Sequence, residues 1–263
     1  MSSGLPILLY HSVQDRAPGS FGPWAVGRQL FVDHMDKLVE LGYTGLSIGQ
    51  LMNLTRAGRP VPDKTVLVTF DDGFADFASN AWPVMKARGF PATLYVTAGV
   101  VDGISQWLEP MGAGQLPMLG TEAIRELADD GVEIGAHSMT HPQLDCVGRD
   151  QARREIIDSK SALEMIVGRP VDSFAYPHGY HDRTVKKMVI DAGYTSAAAV
   201  RNALSHAQDD PFALARFTVM GDCTVEHLEN VLAGRGIGRA RSTERWRTSA
   251  WRQVRRIRAS RAR

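Results

Sequence analysis

Six short apolar runs, separated by longer amphipathic stretches, constrain this chain more than any other feature. The runs cover residues 5–10, 65–70, 91–97, 132–136, 173–176 and 194–200. They are rich in β-branched and aromatic residues and bounded by polar residues, Gly or Pro, which predicts buried strands. Residues 29–41, 74–88, 121–130, 149–167, 182–192 and 224–232 predict helices. Leu30, His34, Leu38 and Leu41 fall near one face of the first. Thr121 and Asp182 mark helix starts, and Gly89, Gly131, Gly168 and Gly193 stand where helices should stop. Such strand–helix repetition predicts a mostly parallel sheet covered by helices, either a barrel or an open doubly wound sheet. A chain of 263 residues can close one large core around it.

In either architecture, chemistry belongs at the C-terminal ends of the strands. Three of the runs lead straight into residues that can perform it: Asp71-Asp72, His137 and Tyr176-Pro177. The acidic pair lies in Thr69-Phe70-Asp71-Asp72-Gly73. Neighbouring residues at a strand end point in different directions, so one carboxylate can bind a metal while the other stays free. Placing both together is costly without a cation to relieve the repulsion. Either acid would serve equally well as the cap of the following helix. The second segment, His137-Ser138-Met139-Thr140-His141, sets two histidines at the i, i+4 spacing used for zinc. Such a pair is also met as capped or surface histidines. Ser138 and Thr140 are candidates to fix the imidazole tautomers. Two histidines and one carboxylate leave coordination positions open, which suits catalysis. Zinc is the first expectation, with cobalt, manganese and iron as alternatives. Residues 99–120 form a loop with a Trp and several Gly and Pro, read either as a substrate-side flap or as a plain connector.

Together these segments resemble the polysaccharide deacetylases, the carbohydrate esterase 4 or NodB-homology family. Glu133-Ile134-Gly135-Ala136 before His137, the Pro142 to Leu144 stretch, Gly89-Phe90-Pro91-Ala92-Thr93-Leu94-Tyr95-Val96, and Phe174-Ala175-Tyr176-Pro177-His178-Gly179 extend the match. The resemblance covers roughly residues 5–232 and implies an α/β fold, a distorted (β/α) barrel of the NodB type. It implies a metal held by Asp72, His137 and His141, with Asp71 as general base. The backbone N–H of His178 would stabilise the oxyanion in a turn shaped by Tyr176, Pro177 and Gly179. The reaction implied is removal of N-acetyl groups from an amino sugar in a glycan, lipid-linked sugar or glycoside. A deformylase or other C–N hydrolase on the same site, and a non-catalytic carbohydrate-binding relic, are the alternatives.

Two positions depart from the common pattern. An Arg that normally tethers the base is replaced by Ala175, and the late motif with the acid histidine is not evident, His206 being the one late candidate. Pro6-Ile7-Leu8-Leu9-Tyr10-His11 is similar to the branch containing the poly-β-1,6-N-acetylglucosamine deacetylases, in which the His of an early Tyr-His pair is the general acid. By that resemblance His11 would take the part of general acid here, with a hydrogen-bonded core histidine as the alternative. Residues 31–46 and Arg216-Phe217-Thr218-Val219 also resemble this branch. Arg216 is the candidate replacement partner for Asp71.

Charge divides the chain at residue 234. Residues 235–263 carry eleven Arg against one Glu, a local charge of +10 in a chain of net charge +1, so residues 1–234 carry about −9. The first part is read as the catalytic domain and the second as an Arg-rich tail. With Trp246, Trp251, Val254 and Ile257 interspersed, the tail could lie as an amphipathic helix on an anionic membrane surface. Nucleic-acid contact is the weaker competitor, and a solvated tail the plainest reading. No apolar run reaches 18 residues, and Met1 to His11 lacks the basic start of a secretion signal. Cys146 and Cys223 have no metal-type spacing. A cytoplasmic protein, peripheral at the membrane if at all, is the expectation.

Overall fold

The computed structural model describes residues 4–206, 209–240, 251 and 253–256. The strands are β1 (Ile7–Tyr10), β2 (Ser12–Val13), β3 (Ala25–Val26), β4 (Thr44–Gly45), β5 (Thr65–Phe70), β6 (Ala92–Val96), β7 (Glu133–Ala136), β8 (Ser173–Ala175), β9 (Ser196–Ala198) and β10 (Phe217–Thr218). The helices are α1 (Arg28–Glu40), α2 (Ile48–Arg56), α3 (Trp82–Ala87), α4 (Thr121–Asp129), α5 (Arg149–Val167), α6 (Arg183–Asp191) and α7 (Val225–Leu232). The main sheet runs β10-β1-β5-β6-β7-β8-β9, with β4 beside the start of β5. Its named strand pairs are all parallel, and β2 and β3 pair separately.

The sheet curls until one segment joins its edges. Leu214 exchanges backbone hydrogen bonds with Ala197 and Ala199 on the β9 side, and Val219 N–H donates to Leu9 O on the β1 side. The distorted (β/α) barrel expected from the sequence is therefore the architecture, with its strands packed inside and out. Outward residues such as Leu8, Val66, Val68 and Phe70 meet the helices. Inward residues Ile7, Leu67, Tyr95, Ala175, Ala198 and Leu214 form a second core together with Ile48, Leu51 and Met52 of α2. Strands buried on both faces lose polar alternation, which is why β5 reads as an unbroken apolar run.

Helix α2 has no counterpart among the predicted helices. Its capping box, Ser47 with Gln50, is complete, but the run is short and polar at Asn53 and Thr55. It plugs the barrel from below: Gly49 N–H donates to Glu133 and Ile48 N–H to Thr93. The helix expected over 74–88 is shortened to a π-turn at Phe77–Ala81 followed by α3. Gly89, Gly131, Gly168 and Gly193 all take left-handed backbone just past helix ends. Asp182 caps α6 through Val185 N–H. Thr121 opens α4 as its first residue, and its N–H is taken by the Asp102 carboxylate.

Hydrogen bonding of the body continues beyond residue 234: Leu204 and Ala240 pair, as do Leu204 and Gly238. Arg255 and Arg256 are bonded to acids of the body. Trp246 and Ile257, part of the expected basic helix, lie outside the described residues. Among the described residues, no helix is long and apolar enough to cross a membrane.

Candidate active site

Asp71 and Asp72 leave β5 in different directions, and the backbone shows why. Asp71 N–H still bonds to Tyr10 O, continuing the strand, so its side chain follows Leu67 and Thr69 into the barrel. Asp72 turns at φ +77, a region that L-residues rarely enter. Ser138, His141 and His178 share that strained backbone, at φ +64, +61 and +59. Four of the seven such non-glycine residues among those described therefore lie at one rim of the barrel. Strain of order 1–3 kcal/mol each persists only where surrounding contacts enforce it, and it concentrates at functional sites.

The histidines complete the cluster. His137 follows β7 directly, and its Nδ1–H donates to Ala175 O at 2.8 Å. That carbonyl, and neither Ser138 nor Thr140, fixes the tautomer and turns Nε2 toward Asp72 Oδ1, 3.5 Å away. Ser138 Oγ instead accepts the backbone N–H of His141. Thr140 Oγ1 donates to Glu155 at 2.6 Å. The buried Glu155 carboxylate also accepts the N–H groups of Met139 and Thr140, anchoring the loop to α5. His141 Nε2 stands 3.3 Å from Asp72 Oδ1. Burial drives the His137 pKa down to about 4, so its Nε2 lone pair is available at neutral pH.

One donor atom from each of Asp72, His137 and His141 lies within 4.8 Å of the others. Asp72 Oδ1 is buried and makes no aligned hydrogen bond. A buried carboxylate oxygen without a donor is costly, and a cation shared with the two imidazoles would satisfy it. Two imidazoles and one carboxylate suit zinc and its first-row neighbours. The residues fit a metal.

Asp71 has a different environment. Arg216, fully buried, grips it with Nη1 to Oδ1 at 2.6 Å and Nη2 to Oδ2 at 2.7 Å. The same guanidinium donates to Thr69 Oγ1 and to Ala199 O and lies over the Tyr95 ring. Burial pushes the Asp71 carboxyl up, but Arg216 and then His137 outweigh it and hold it below the ordinary range. The inward side chains of β8 and β9 are small (Ser173, Ala175, Ser196, Ala198), which leaves room for this arginine.

His11, just past β1, is lowered by burial, with Asp72 and Asp71 pulling the other way. It shares the field of both carboxylates, and its Nδ1 is buried and unpartnered. The Pro177–Gly179 turn lies across the cluster, with the His178 ring 4.6 Å from that of His141. Gly179 N–H bonds to Tyr176 O, and Tyr180 N–H to Pro177 O, so the turn's own bonds leave the His178 N–H unused. Tyr176 is anchored through its hydroxyl to Phe212 O. His206 is elsewhere: beside Ser205, which pairs with Leu5 ahead of β1, it faces Asp209 at 2.9 Å.

Trp107 is a site residue that no motif marked. It lies in the 99–120 loop, on the 3-10 turn Gln106–Met111, and its ring stacks on His141 with centroids 5.1 Å apart. Its signal was a single Trp in a Gly/Pro-rich loop, which the sequence alone leaves ambiguous.

A family model described as polysaccharide deacetylase matches residues 58–197. The chain belongs to the polysaccharide deacetylase family. The match runs from ahead of β5 into β9 and takes in both the Thr69–Gly73 and the His137–His141 segments. YxkH of Bacillus subtilis (strain 168) is 26% identical over 215 residues, 82% of this chain and 71% of that protein. The poly-β-1,6-N-acetyl-D-glucosamine N-deacetylase of Escherichia coli K12 is 31% identical over 100 residues, 38% of this chain but only 15% of the enzyme's length. The fold matches the Streptococcus pyogenes deacetylase PplD, seen in complex with acetate. The TM-score is 0.75 at 24% identity, with 88% of this chain and 99% of that one covered. Family membership places the chain among carbohydrate deacetylases.

Proposed function

We propose that this polysaccharide deacetylase is a metal-dependent N-deacetylase acting on an N-acetylated amino sugar. The observation that carries the reading is the divergence of two adjacent buried acids. Asp72 enters a donor set with His137 and His141, whereas Asp71 is locked by Arg216. A binding relic needs no second carboxylate beside a metal. The similarity to the E. coli enzyme favours a β-linked N-acetylglucosamine unit, in a glycan, lipid-linked sugar or glycoside.

Asp72, His137 and His141 would hold the metal, with zinc first in expectation and cobalt, manganese or iron as alternatives. When bound, it supplies Lewis acidity to the attacking water and the acetamide carbonyl. Asp71 takes the water's proton as the new C–O bond forms. Arg216 keeps that carboxylate ionised in a buried place and fixes its direction. The His178 N–H donates to the developing oxyanion, within the turn built by Tyr176, Pro177 and Gly179. His11 delivers a proton to the leaving nitrogen as the C–N bond breaks. One water is consumed, and acetate and a free amine leave.

Acetate release from a panel of N-acetylglucosamine oligomers and lipid-linked sugars tests this, with wild type beside Asp71→Asn and metal content measured on both. The expected result is release by wild type and none by Asp71→Asn with one metal still bound. Metal-loaded wild type inert on every sugar would refute it.

A further inference from the structure

The arginine-rich end of the chain returns to the active-site rim. Arg255 is nearly fully buried. Its guanidinium grips Asp145 with Nη1 to Oδ1 at 2.8 Å and Nη2 to Oδ2 at 2.7 Å. Nη1 also donates to Gln143 Oε1 at 3.2 Å. The flat face lies 3.6 Å from the Tyr180 ring centroid. Arg256 adds Nε to Asp145 O at 2.8 Å and Nη2 to Asp182 Oδ2 at 2.7 Å.

These partners belong to two loops. Gln143 and Asp145 follow His141 in the loop after β7. Tyr180 and Asp182 follow His178 in the loop after β8. His141 and His178 each sit on strained left-handed backbone, and their rings touch edge to face. Such a conformation persists only where surrounding contacts enforce it. Glu155 fixes the first loop ahead of His141. Beyond His141, Leu144 is buried in the main core, and Arg255 and Arg256 bond to Gln143 and Asp145 on either side of it.

We propose that Arg255 is a positioning residue for the reaction: it clamps the His141 loop to the His178 loop and so sets the relation between the metal donors and the oxyanion turn. This rests on the deacetylase reading above. The guanidinium is occupied on its fork by a carboxylate and on its face by a ring, a two-sided engagement that lysine cannot reproduce. The two arginines at this position therefore serve the catalytic rim itself.

The test uses the full chain with Arg255→Gln, Arg255→Lys and the double variant Arg255→Gln/Asp145→Asn. The double variant leaves no uncompensated buried charge, so it remains usable if a single variant fails to fold. Amide hydrogen exchange and steady-state kinetics are read together. The expected result is faster exchange in peptides spanning 139–147 and 177–183, with β5 and β6 unchanged. kcat should fall roughly ten- to a hundredfold, as for an Å-scale misplacement, with KM within about twofold and Lys intermediate. Unchanged loop exchange, or kcat within twofold of wild type, overturns the proposal. An inert wild-type chain would sink the deacetylase reading instead, and the exchange data would still decide whether Arg255 ties the loops.

Discussion

Arg216 meets both oxygens of Asp71 from a position 145 residues later in the chain, and both groups are buried inside the barrel. Removing the guanidinium leaves an uncompensated buried carboxylate. Such losses cost about 3–5 kcal/mol, and the carboxyl would lose the foremost of the charges that hold its pKa down. Arg216→Ala should lose at least roughly 100-fold in acetate release, with a matching drop in denaturant midpoint. Arg216→Lys should recover stability better than turnover, because one ammonium cannot hold both oxygens. Normal turnover in Arg216→Ala would exclude the pairing from catalysis.

Metal loading separates the two acids. A cation that binds only the folded chain at 100 times its Kd adds about 2.7 kcal/mol, roughly 5–10 °C in a chain of this size. Chelated wild type should gain that shift on adding zinc or cobalt. Asp72→Asn should lose most of it, and Asp71→Asn should keep it while releasing no acetate. Equal shifts in both variants would overturn the division of roles.

Trp107 should act through His141. The Trp107 ring stacks on the imidazole with centroids 5.1 Å apart. Hydrogen-bonding partners that orient a ligating imidazole typically change metal affinity 10–100-fold, and a stacking partner should act at the low end of that range. Trp107→Ala is expected to weaken metal binding roughly tenfold by calorimetry, and Trp107→Phe to retain most of it. An unchanged affinity in Trp107→Ala would reduce the Trp to a lining of the cleft.

Gly179 tests the oxyanion turn. At φ +73 a side chain is strained, and a Cβ there would stand 2.5 Å from both N and Cβ of Val200. Gly179→Ala must displace the turn, at a cost of about 1–3 kcal/mol. Turnover should fall with metal affinity intact, since His178 moves and the donor set does not. Loss of metal instead would mean the turn supports His141.

Why some of this was legible in sequence and some not follows from where the constraints lie. The strands Thr65–Phe70 and Glu133–Ala136 are buried on both faces, so their apolar runs end where the chemistry begins. Asp71, Asp72, His137 and His141 could be grouped because each sits within a residue or a short turn of such an end. Other contacts leave no periodic trace. The Ala175 carbonyl that orients His137 is backbone, identical for any residue. Glu155 looks like an ordinary helix acid. Arg255 is one of eleven arginines in a run whose composition suggests solvent, and its partner lies 110 residues away. Helix α2 is stabilised by two barrel side chains, Thr93 and Glu133, that capture its first N–H groups, so its own sequence carries little of the signal.

Asp76 offers a test by pH. Its carboxylate accepts from the Ser12 hydroxyl, next to His11, while Oδ1 is buried without a partner. Burial pushes its pKa up to about 6 from 3.8, and the bonds from Ser12 and Val13 pull back only part of the way. A raised carboxyl pKa means that the folded chain holds the proton more tightly than the unfolded chain. The contribution is therefore fully present below the unfolded value and is lost as pH rises through the folded one, between about 4 and 6. The loss at pH 8 is on the order of 2–3 kcal/mol. Asp76→Asn keeps an oxygen for Ser12 and cannot ionise. It should be more stable than wild type above pH 6 and converge with it below pH 4, measured by urea denaturation across that range. A variant no more stable than wild type at pH 8 would show that Asp76 is compensated by solvent or a neighbouring cation.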